Sequence, residues 1–267
     1  MRTNREQSAG EDRMQQVFEE VFRESSALKI SFEDAARYNR NFKLTHERTV
    51  RDIDALVSGA RILELGAFTG VVAVTLARLG HKVTASDHPS ILQDPAASEF
   101  LRRNGVDLCP MNLADITFPL ADGSFDVVDF HSILSLLNFN PIPLLKEFHR
   151  LLAPGGYVYC AAPNLLAAKN VALMVLRRGY LSPIKHFEWN LEEASEGTGL
   201  RVGLSWREYS EEEVVELFAA SGFDLVTHKF GLNTPNRSSF PRRQLVDALY
   251  GLFPSLMPTQ IGVFRKR

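Results

Sequence analysis

The chain has 267 residues, of which 45% are hydrophobic and 23% are charged, the composition of an ordinary globular protein with a sizeable core. Its formal net charge of -2 argues against a nucleic-acid-binding protein, because such proteins usually carry a basic excess. Neither a signal peptide's apolar core nor an uncharged apolar stretch of about 18 residues is present, so we expect a cytoplasmic protein without an integral membrane span. The two cysteines, Cys109 and Cys160, lie in apolar runs and predict buried thiols.

The N-terminal part of the chain has a helical pattern. Residues 1–13 are polar, and we expect them to be frayed. From Met14 to Val57, apolar side chains recur at helical spacing, which predicts two or three helices. We therefore predict a helical extension over residues 1–57 and a main domain over residues 58–267. The extension could cap a site or form a dimer contact, and the sequence does not choose between a monomer and a homodimer.

From residue 58 onward, short apolar or β-branched runs alternate with helical patterns. This alternation predicts βαβ units and a doubly wound α/β sheet with helices on both faces. The predicted strands are 61–65, 82–86, 106–110, 125–130, 156–162, 223–230 and 260–266. The predicted helices are 71–79, 96–103, 141–152, 164–178 and 209–222, the last with Ser210 as its N-cap.

A glycine turn, Gly66–Gly70, follows the first predicted strand. Glycine allows a tight turn and a close approach of a ligand, and the helix after the turn points unpaired N–H groups at that ligand. Asp87 ends the second predicted strand, about 20 residues after the turn, where a carboxylate can accept both hydroxyls of a ribose. The sequence therefore predicts a nucleoside site at the carboxyl ends of these strands.

Two classes of cofactor use this arrangement. Nicotinamide enzymes require G-x-G-x-x-G for the pyrophosphate, but here Phe68 and Val71 stand where the second and third glycines belong. Glu64, just before the turn, is unsuited to a polyanion and suited to a cationic amine. A nicotinamide-nucleotide oxidoreductase is therefore the less favoured alternative.

Several segments together resemble the class I S-adenosylmethionine-dependent methyltransferases. "LELGAFTG", "VTASDHP" and "LLKEFHRLLAPGGYVYCAAPN" match the motifs of that family in order and at consistent spacing. The resemblance implies a Rossmann-like seven-stranded sheet, a cover insertion at 164–208 after the fifth strand, and S-adenosylmethionine as cofactor. The implied cofactor-binding residues are Glu64, Gly66, Ala67, Phe68, Gly70, Asp87, His88, Asn112, Leu113 and Phe130. Phe68 replaces the family's middle glycine, and Asn112 replaces a common aspartate, for which Asp115 is the fallback.

Methyl transfer to a hydroxyl requires alignment of the reactants and a base for the proton. His131, at the end of the fourth predicted strand, is the first candidate because imidazole is neutral and basic near pH 7; packing is the alternative role. His186, in the cover insertion, is the second candidate. Trp189 and Trp206 are candidates for the wall of the acceptor pocket. Asp129 alone does not make a metal cluster, so we expect no metal.

The expected acceptor is a small molecule, with oxygen as the favoured atom on a glycan, lipid-linked, quinone-like or natural-product hydroxyl. A homologue that binds S-adenosylmethionine or a protein partner without transferring the methyl group is a further alternative. The helix at 164–178 carries Lys169, Arg177 and Arg178 on an apolar body. We expect it to pack as a lid, with peripheral membrane contact as the alternative.

Overall fold

The computed structural model describes residues 4–31, 33–181, 205–233 and 242–267. It confirms the predicted seven-stranded α/β sheet, which is open and mixed. The strands are β1 (Arg61–Leu65), β2 (Lys82–Ser86), β3 (Asp107–Leu108), β4 (Phe125–His131), β5 (Leu152–Pro163), β6 (Phe223–Gly231) and β7 (Thr259–Lys266). Their order in the sheet is β3-β2-β1-β4-β5-β7-β6. β1 pairs in parallel with β2 and β4, whereas β7 is antiparallel to β5 and β6.

Helices surround the sheet. They are α1 (Asn4–Ser26), α2 (Ala35–Leu56), α3 (Val71–Leu79), α4 (Pro89–Leu92), α5 (Pro95–Arg103), α6 (Ile142–Leu151), α7 (Ala168–Val175), α8 (Glu211–Ala220) and α9 (Arg242–Leu252). None of the helices within the described ranges is both long enough and apolar enough to cross a membrane. The chain divides into two compact units, residues 1–129 with 151–156 and residues 130–150 with 157–267.

The first unit contains the N-terminal helices. Two helices form, where the spacing of apolar residues predicts two or three. The first, α1, begins at Asn4 and not near the predicted start at Met14. The expectation that residues 1–13 are frayed is therefore wrong from Asn4 onward, because Glu, Gln, Arg and Ala in this polar run are good helix formers. Both helices pack on α3. Arg78 of α3 forms a bidentate ion pair with Glu24 of α1, with nitrogen–oxygen distances of 2.9 and 2.7 Å.

The second unit confirms Ser210 as the N-cap of α8, and Glu213 completes a capping box. The Ser210 hydroxyl accepts the Glu213 N–H, and the Glu213 carboxylate accepts the Ser210 N–H. The helix predicted at 164–178 is shorter than expected and spans only α7. Asn164 lies outside the helix: its side-chain amide donates to the carbonyls of Ser255 and Met257, and its Oδ1 accepts the Leu166 N–H in a local turn.

Candidate functional site

The turn after β1 adopts backbone conformations that favour glycine. Gly66 and Gly70 have φ angles of 71° and 75°, in the left-handed region. The N–H groups of Gly66 and Ala67 both donate to the carbonyl of Ser86, at 2.8 and 3.1 Å, so the turn is fixed to the end of β2. A Cβ atom on Gly70 would lie 2.9 Å from Cδ2 of Leu101. The positive φ therefore calls for glycine at position 70, and the close contact with the end of the Leu101 side chain is a secondary reason.

Replacement of Gly70 by alanine should lower the free energy of unfolding by about 1–2 kcal/mol, mainly because a Cβ is strained at positive φ. The end of the Leu101 side chain can move, so its contact with the new Cβ atom contributes less to the destabilisation than the strain at positive φ. The midpoint of urea denaturation measures the effect. Gly10→Ala is the matched control, since a Cβ atom on Gly10 of α1 would have no atom of the described residues within 4 Å, and alanine should stabilise the helix there. Equal stability of the wild type and Gly70→Ala would contradict this account of the turn.

Phe68 stands in the turn with a φ of 46°, where a side chain costs about 1–2 kcal/mol. Its side chain is buried, and its ring centroid lies 4.2 Å from that of Tyr38 on α2. The N-terminal extension thus supplies the aromatic contact that offsets the strain at this position. Packing against α2 gives a physical reason for a phenylalanine where a glycine is expected.

Asp87 follows β2 and is bonded to the turn. Its Oδ2 accepts the N–H of Phe68 at 2.9 Å, and its Oδ1 accepts the N–H of His88 at 2.7 Å. Burial raises the pKa of Asp87 to about 6, although these two hydrogen bonds oppose the shift. Each oxygen retains a second lone pair. The carboxylate is therefore preorganised beside the turn and can accept further hydrogen bonds.

Glu64 is almost completely buried on β1, in register with Asp129 on β4. Burial raises the pKa of Glu64 well above its usual value, and repulsion from Asp129 and Asp87 adds to the shift, whereas a hydrogen bond from the Ala73 N–H lowers it. Within the described part of the chain, Oε2 of Glu64 has no hydrogen-bond partner. Such a buried acceptor costs about 1–3 kcal/mol, which a ligand N–H group would recover. The sequence analysis treated Asp129 as a lone carboxylate, but the structure places a carboxylate oxygen of Glu64 within 4.8 Å of one of Asp129.

Two loops complete the candidate site in the first unit. His88 is the N-cap of α4, and its Nδ1 lies 2.8 Å from the Ser90 hydroxyl. The N–H of Met111 donates to the backbone carbonyl of Asp87 at 3.0 Å, so the loop that carries Asn112 lies beside Asp87. The structure thereby places Asn112 in a loop that is bonded to the backbone of Asp87.

The Asn112 side chain has a local structural role. Its Oδ1 accepts the Ala114 N–H at 3.0 Å and caps the 3₁₀ turn Leu113–Asp115. The side chain is exposed, and an amide oxygen can accept a second hydrogen bond. Asn112 can therefore still contact a ligand while it caps the turn.

In the second unit, His131 is buried at the end of β4. Ser132, the next residue, has a φ of 60°, and its N–H donates to the Ala161 carbonyl at 2.7 Å. Phe130 is fully buried and packs edge-on against Phe148, with 5.1 Å between ring centroids. These contacts fix the backbone where the candidate base lies. His186 and Trp189 fall outside the described residues.

The second unit also contains a cavity of about 710 Å³. Its lining includes Leu137, Phe139, Trp206 and Tyr209. The backbone N–H of Trp206 donates to the Ser135 carbonyl at 2.8 Å, and the residue is 42% exposed. The volume lies within the range of small-molecule sites, about 300–1,000 Å³. Trp206, a predicted wall residue, therefore does line a cavity.

Residues 63–160 match the family model described as a methyltransferase domain. An uncharacterised methyltransferase from Schizosaccharomyces pombe is 29% identical over 116 residues, which cover 40% of this chain and 41% of that protein. A ubiquinone biosynthesis O-methyltransferase from Xanthomonas oryzae pv. oryzae is 31% identical over 127 residues, which cover 47% of this chain and 52% of that protein. The chain thus spans about half the length of these relatives.

The fold is also similar to that of solved structures. An S-adenosylmethionine-dependent methyltransferase from Thermotoga maritima, described as a possible histamine N-methyltransferase, superposes with a TM-score of 0.53 at 18% identity. The match covers 87% of this chain and 94% of that chain. At this identity the likeness shows the fold alone.

Proposed function

We propose that this chain, which belongs to the class I S-adenosylmethionine-dependent methyltransferase family, transfers a methyl group to a hydroxyl of a small-molecule acceptor. The observation that carries the proposal is the pair of carboxyl groups next to the Gly66–Gly70 turn, that of Glu64, which is buried on β1, and that of Asp87, which is half-buried and bonded to Phe68 of the turn. The bound donor supplies a methyl group activated on a sulfonium. A negatively charged site with an unsatisfied acceptor suits that cationic ligand.

Four of the predicted site residues then have a task that their chemistry allows. Asp87 accepts the ribose hydroxyls, since both of its oxygens are fixed and keep a second lone pair. Glu64 accepts an N–H from the amino group of the donor through its unpartnered Oε2. Asn112 contacts the adenine amino group from the loop beside Asp87. His131 accepts the proton of the acceptor hydroxyl.

We favour an oxygen acceptor of the quinone-like class among those that the sequence leaves open. The relative at 31% identity is a ubiquinone biosynthesis O-methyltransferase, although the match covers only 47% of this chain. The cavity beside Trp206 has aromatic residues in its lining and is large enough for a substituted ring. This choice of acceptor, like the roles of the site residues, is a proposal.

The remaining predictions also stay proposals. Cys109 and Cys160 are not joined in a disulfide, which fits a reducing, cytoplasmic compartment. We keep the proposed division into an extension at residues 1–57 and a domain at residues 58–267 with its cover at 164–208. We also keep a monomer or a homodimer as the proposed oligomeric state. We expect neither a metal ion nor a nucleic acid to take part.

The proposed activity can be tested with the purified chain and methyl-labelled S-adenosylmethionine. Fractionated small metabolites and simple catechols serve as acceptors, and mass spectrometry identifies the product. The proposal expects label in a methyl ether. Label on nitrogen or carbon would contradict the choice of oxygen. Binding of the donor without label in any fraction would favour the non-catalytic alternative.

The affinity for S-adenosylhomocysteine should increase as the pH rises from 5 to 7. Burial raises the pKa of Asp87 from 3.8 to about 6, so at pH 5 most of this carboxyl is protonated and has lost acceptor capacity. We expect about 10-fold weaker binding one unit below that pKa, measured by calorimetry. The stability of the ligand-free protein should change in the opposite direction, because an acid with a raised pKa loses stabilisation as the pH rises through that value.

The variant Asp87→Asn separates this effect from the titration of Glu64, whose pKa is also raised. Binding to Asp87→Asn should be weak and should vary less between pH 5 and pH 7. An unchanged pH dependence in the variant would assign the titration to another group.

A further inference from the structure

We propose that Tyr38, on α2 of the N-terminal extension, is a donor-binding residue whose hydroxyl recognises the amino-acid carboxylate of the donor. This inference rests on the proposed function and extends it to a residue that the sequence did not identify. Glycine spacing and strand ends point to the turn, but nothing in the helical pattern of residues 14–57 indicates which side chain reaches it.

The ring of Tyr38 lies on the turn. Its centroid is 4.2 Å from that of Phe68, and it also stacks on Phe42 with 4.6 Å between centroids and 30° between planes. The N–H of Phe68 in turn donates to Asp87. The tyrosine therefore packs directly on the residue that positions the ribose-binding carboxylate. The residue as a whole is half-buried.

The hydroxyl of Tyr38 lies within electrostatic range of both donor-binding carboxylates. Burial raises the pKa of Tyr38, and the negative charges of Asp87, Glu64 and Glu33 raise it further, in that order. The phenol therefore stays protonated at every working pH and remains a hydrogen-bond donor. Glu64 and Asp87 can only accept when they are ionised.

A buried polar network fixes α2 to the turn. The Thr69 hydroxyl donates to Oδ1 of Asn39 at 2.7 Å, the Asn39 amide donates to the Ser25 hydroxyl at 3.0 Å, and that hydroxyl donates to the Thr69 carbonyl at 2.8 Å. All three side chains are buried. Asn39 and Thr69 are the chain neighbours of Tyr38 and Phe68, so the network holds the tyrosine in place before a ligand binds.

The turn itself has few donors left for a carboxylate. Four of the five backbone N–H groups of residues 66–70 already donate within the protein: those of Gly66 and Ala67 to the Ser86 carbonyl, that of Phe68 to Asp87, and that of Gly70 to the Ala67 carbonyl. The donor molecule carries an amino-acid carboxylate that needs hydrogen bonds. The ring of Tyr38 lies against the same turn, and its hydroxyl is the donor that we assign to this carboxylate.

The test compares two ligands on the full-length Tyr38→Phe variant by calorimetry. S-adenosylhomocysteine has the amino-acid carboxylate, and 5′-methylthioadenosine lacks it. Loss of one hydrogen bond to a charged group should weaken S-adenosylhomocysteine binding about 10-fold and leave methylthioadenosine binding within about 2-fold. Tyr250→Phe on α9 removes the same hydroxyl elsewhere and should change neither affinity.

The outcomes distinguish the inference from the proposed function. Normal S-adenosylhomocysteine binding by Tyr38→Phe, or equal losses for both ligands, would overturn the role of Tyr38 and leave the proposed function intact. A wild-type protein that binds neither ligand would overturn both. Hydrogen exchange on the wild type gives a readout that does not depend on a variant folding: S-adenosylhomocysteine should slow exchange in residues 35–56, and protection confined to residues 61–87 would also overturn the inference.

Discussion

The Asp87→Asn variant should bind S-adenosylhomocysteine about 100-fold more weakly than the wild type. Two hydrogen bonds from ribose hydroxyls to a charged acceptor contribute about 3 kcal/mol, and 1.4 kcal/mol corresponds to a factor of ten. An asparagine amide also places N–H donors against the N–H of Phe68 or His88, both of which donate to Asp87 in the wild type. The variant therefore loses both the ligand contacts and the preorganisation of the turn.

Titration calorimetry measures the Asp87→Asn effect, and thermal stability of the ligand-free variant shows that it is folded. Asp107→Asn is the matched control, because Asp107 is an exposed residue of β3. It should bind the ligand like the wild type. An affinity of Asp87→Asn within about 3-fold of the wild type would remove this residue from the donor site.

The His131→Ala variant should lose about 10²- to 10⁴-fold in kcat while its affinity for S-adenosylhomocysteine stays unchanged. A general base acts on the acceptor proton and not on the donor, so its loss affects turnover rather than donor binding. His131 is buried at the end of β4, and the hydrogen bond from Ser132 to Ala161 fixes the adjacent backbone. Truncation of the imidazole should therefore leave the donor site intact.

Steady-state kinetics with an identified acceptor measures the His131→Ala effect. His149→Ala is the control, since His149 packs edge-on against Phe223 at 5.5 Å and its replacement removes a histidine of structural role. It should lower stability more than kcat. Unchanged turnover in His131→Ala would move the base elsewhere, and an equal loss of donor affinity would give His131 a binding role.

The elements around the donor turn follow closely from the sequence. The predicted bounds of 61–65, 71–79 and 82–86 coincide with β1, α3 and β2, because apolar runs that change period at a glycine turn have few alternative structures. The turn itself is predictable for the same reason. Its φ angles at Gly66 and Gly70 are those that glycine adopts without strain.

Other features depend on contacts that a linear pattern does not contain. Helix α7 ends just before Arg177, whose φ angle lies in the left-handed region. It begins only after Asn164, whose side-chain amide donates to carbonyls of residues far along the chain. The sequence pattern does not predict α9, and β5 extends well beyond 156–162. Tyr38 joins the site only because α2 packs on the turn, which is a tertiary contact between residues 30 positions apart.

The central claim is that the carboxylates beside the Gly66–Gly70 turn form a site for a sulfonium nucleoside. Calorimetric titration of the wild-type chain with S-adenosylmethionine and, separately, with NAD⁺ tests it most directly. The account predicts saturable binding of one S-adenosylmethionine per chain and no heat of binding with NAD⁺. Saturable binding of NAD⁺ with no response to S-adenosylmethionine would contradict it.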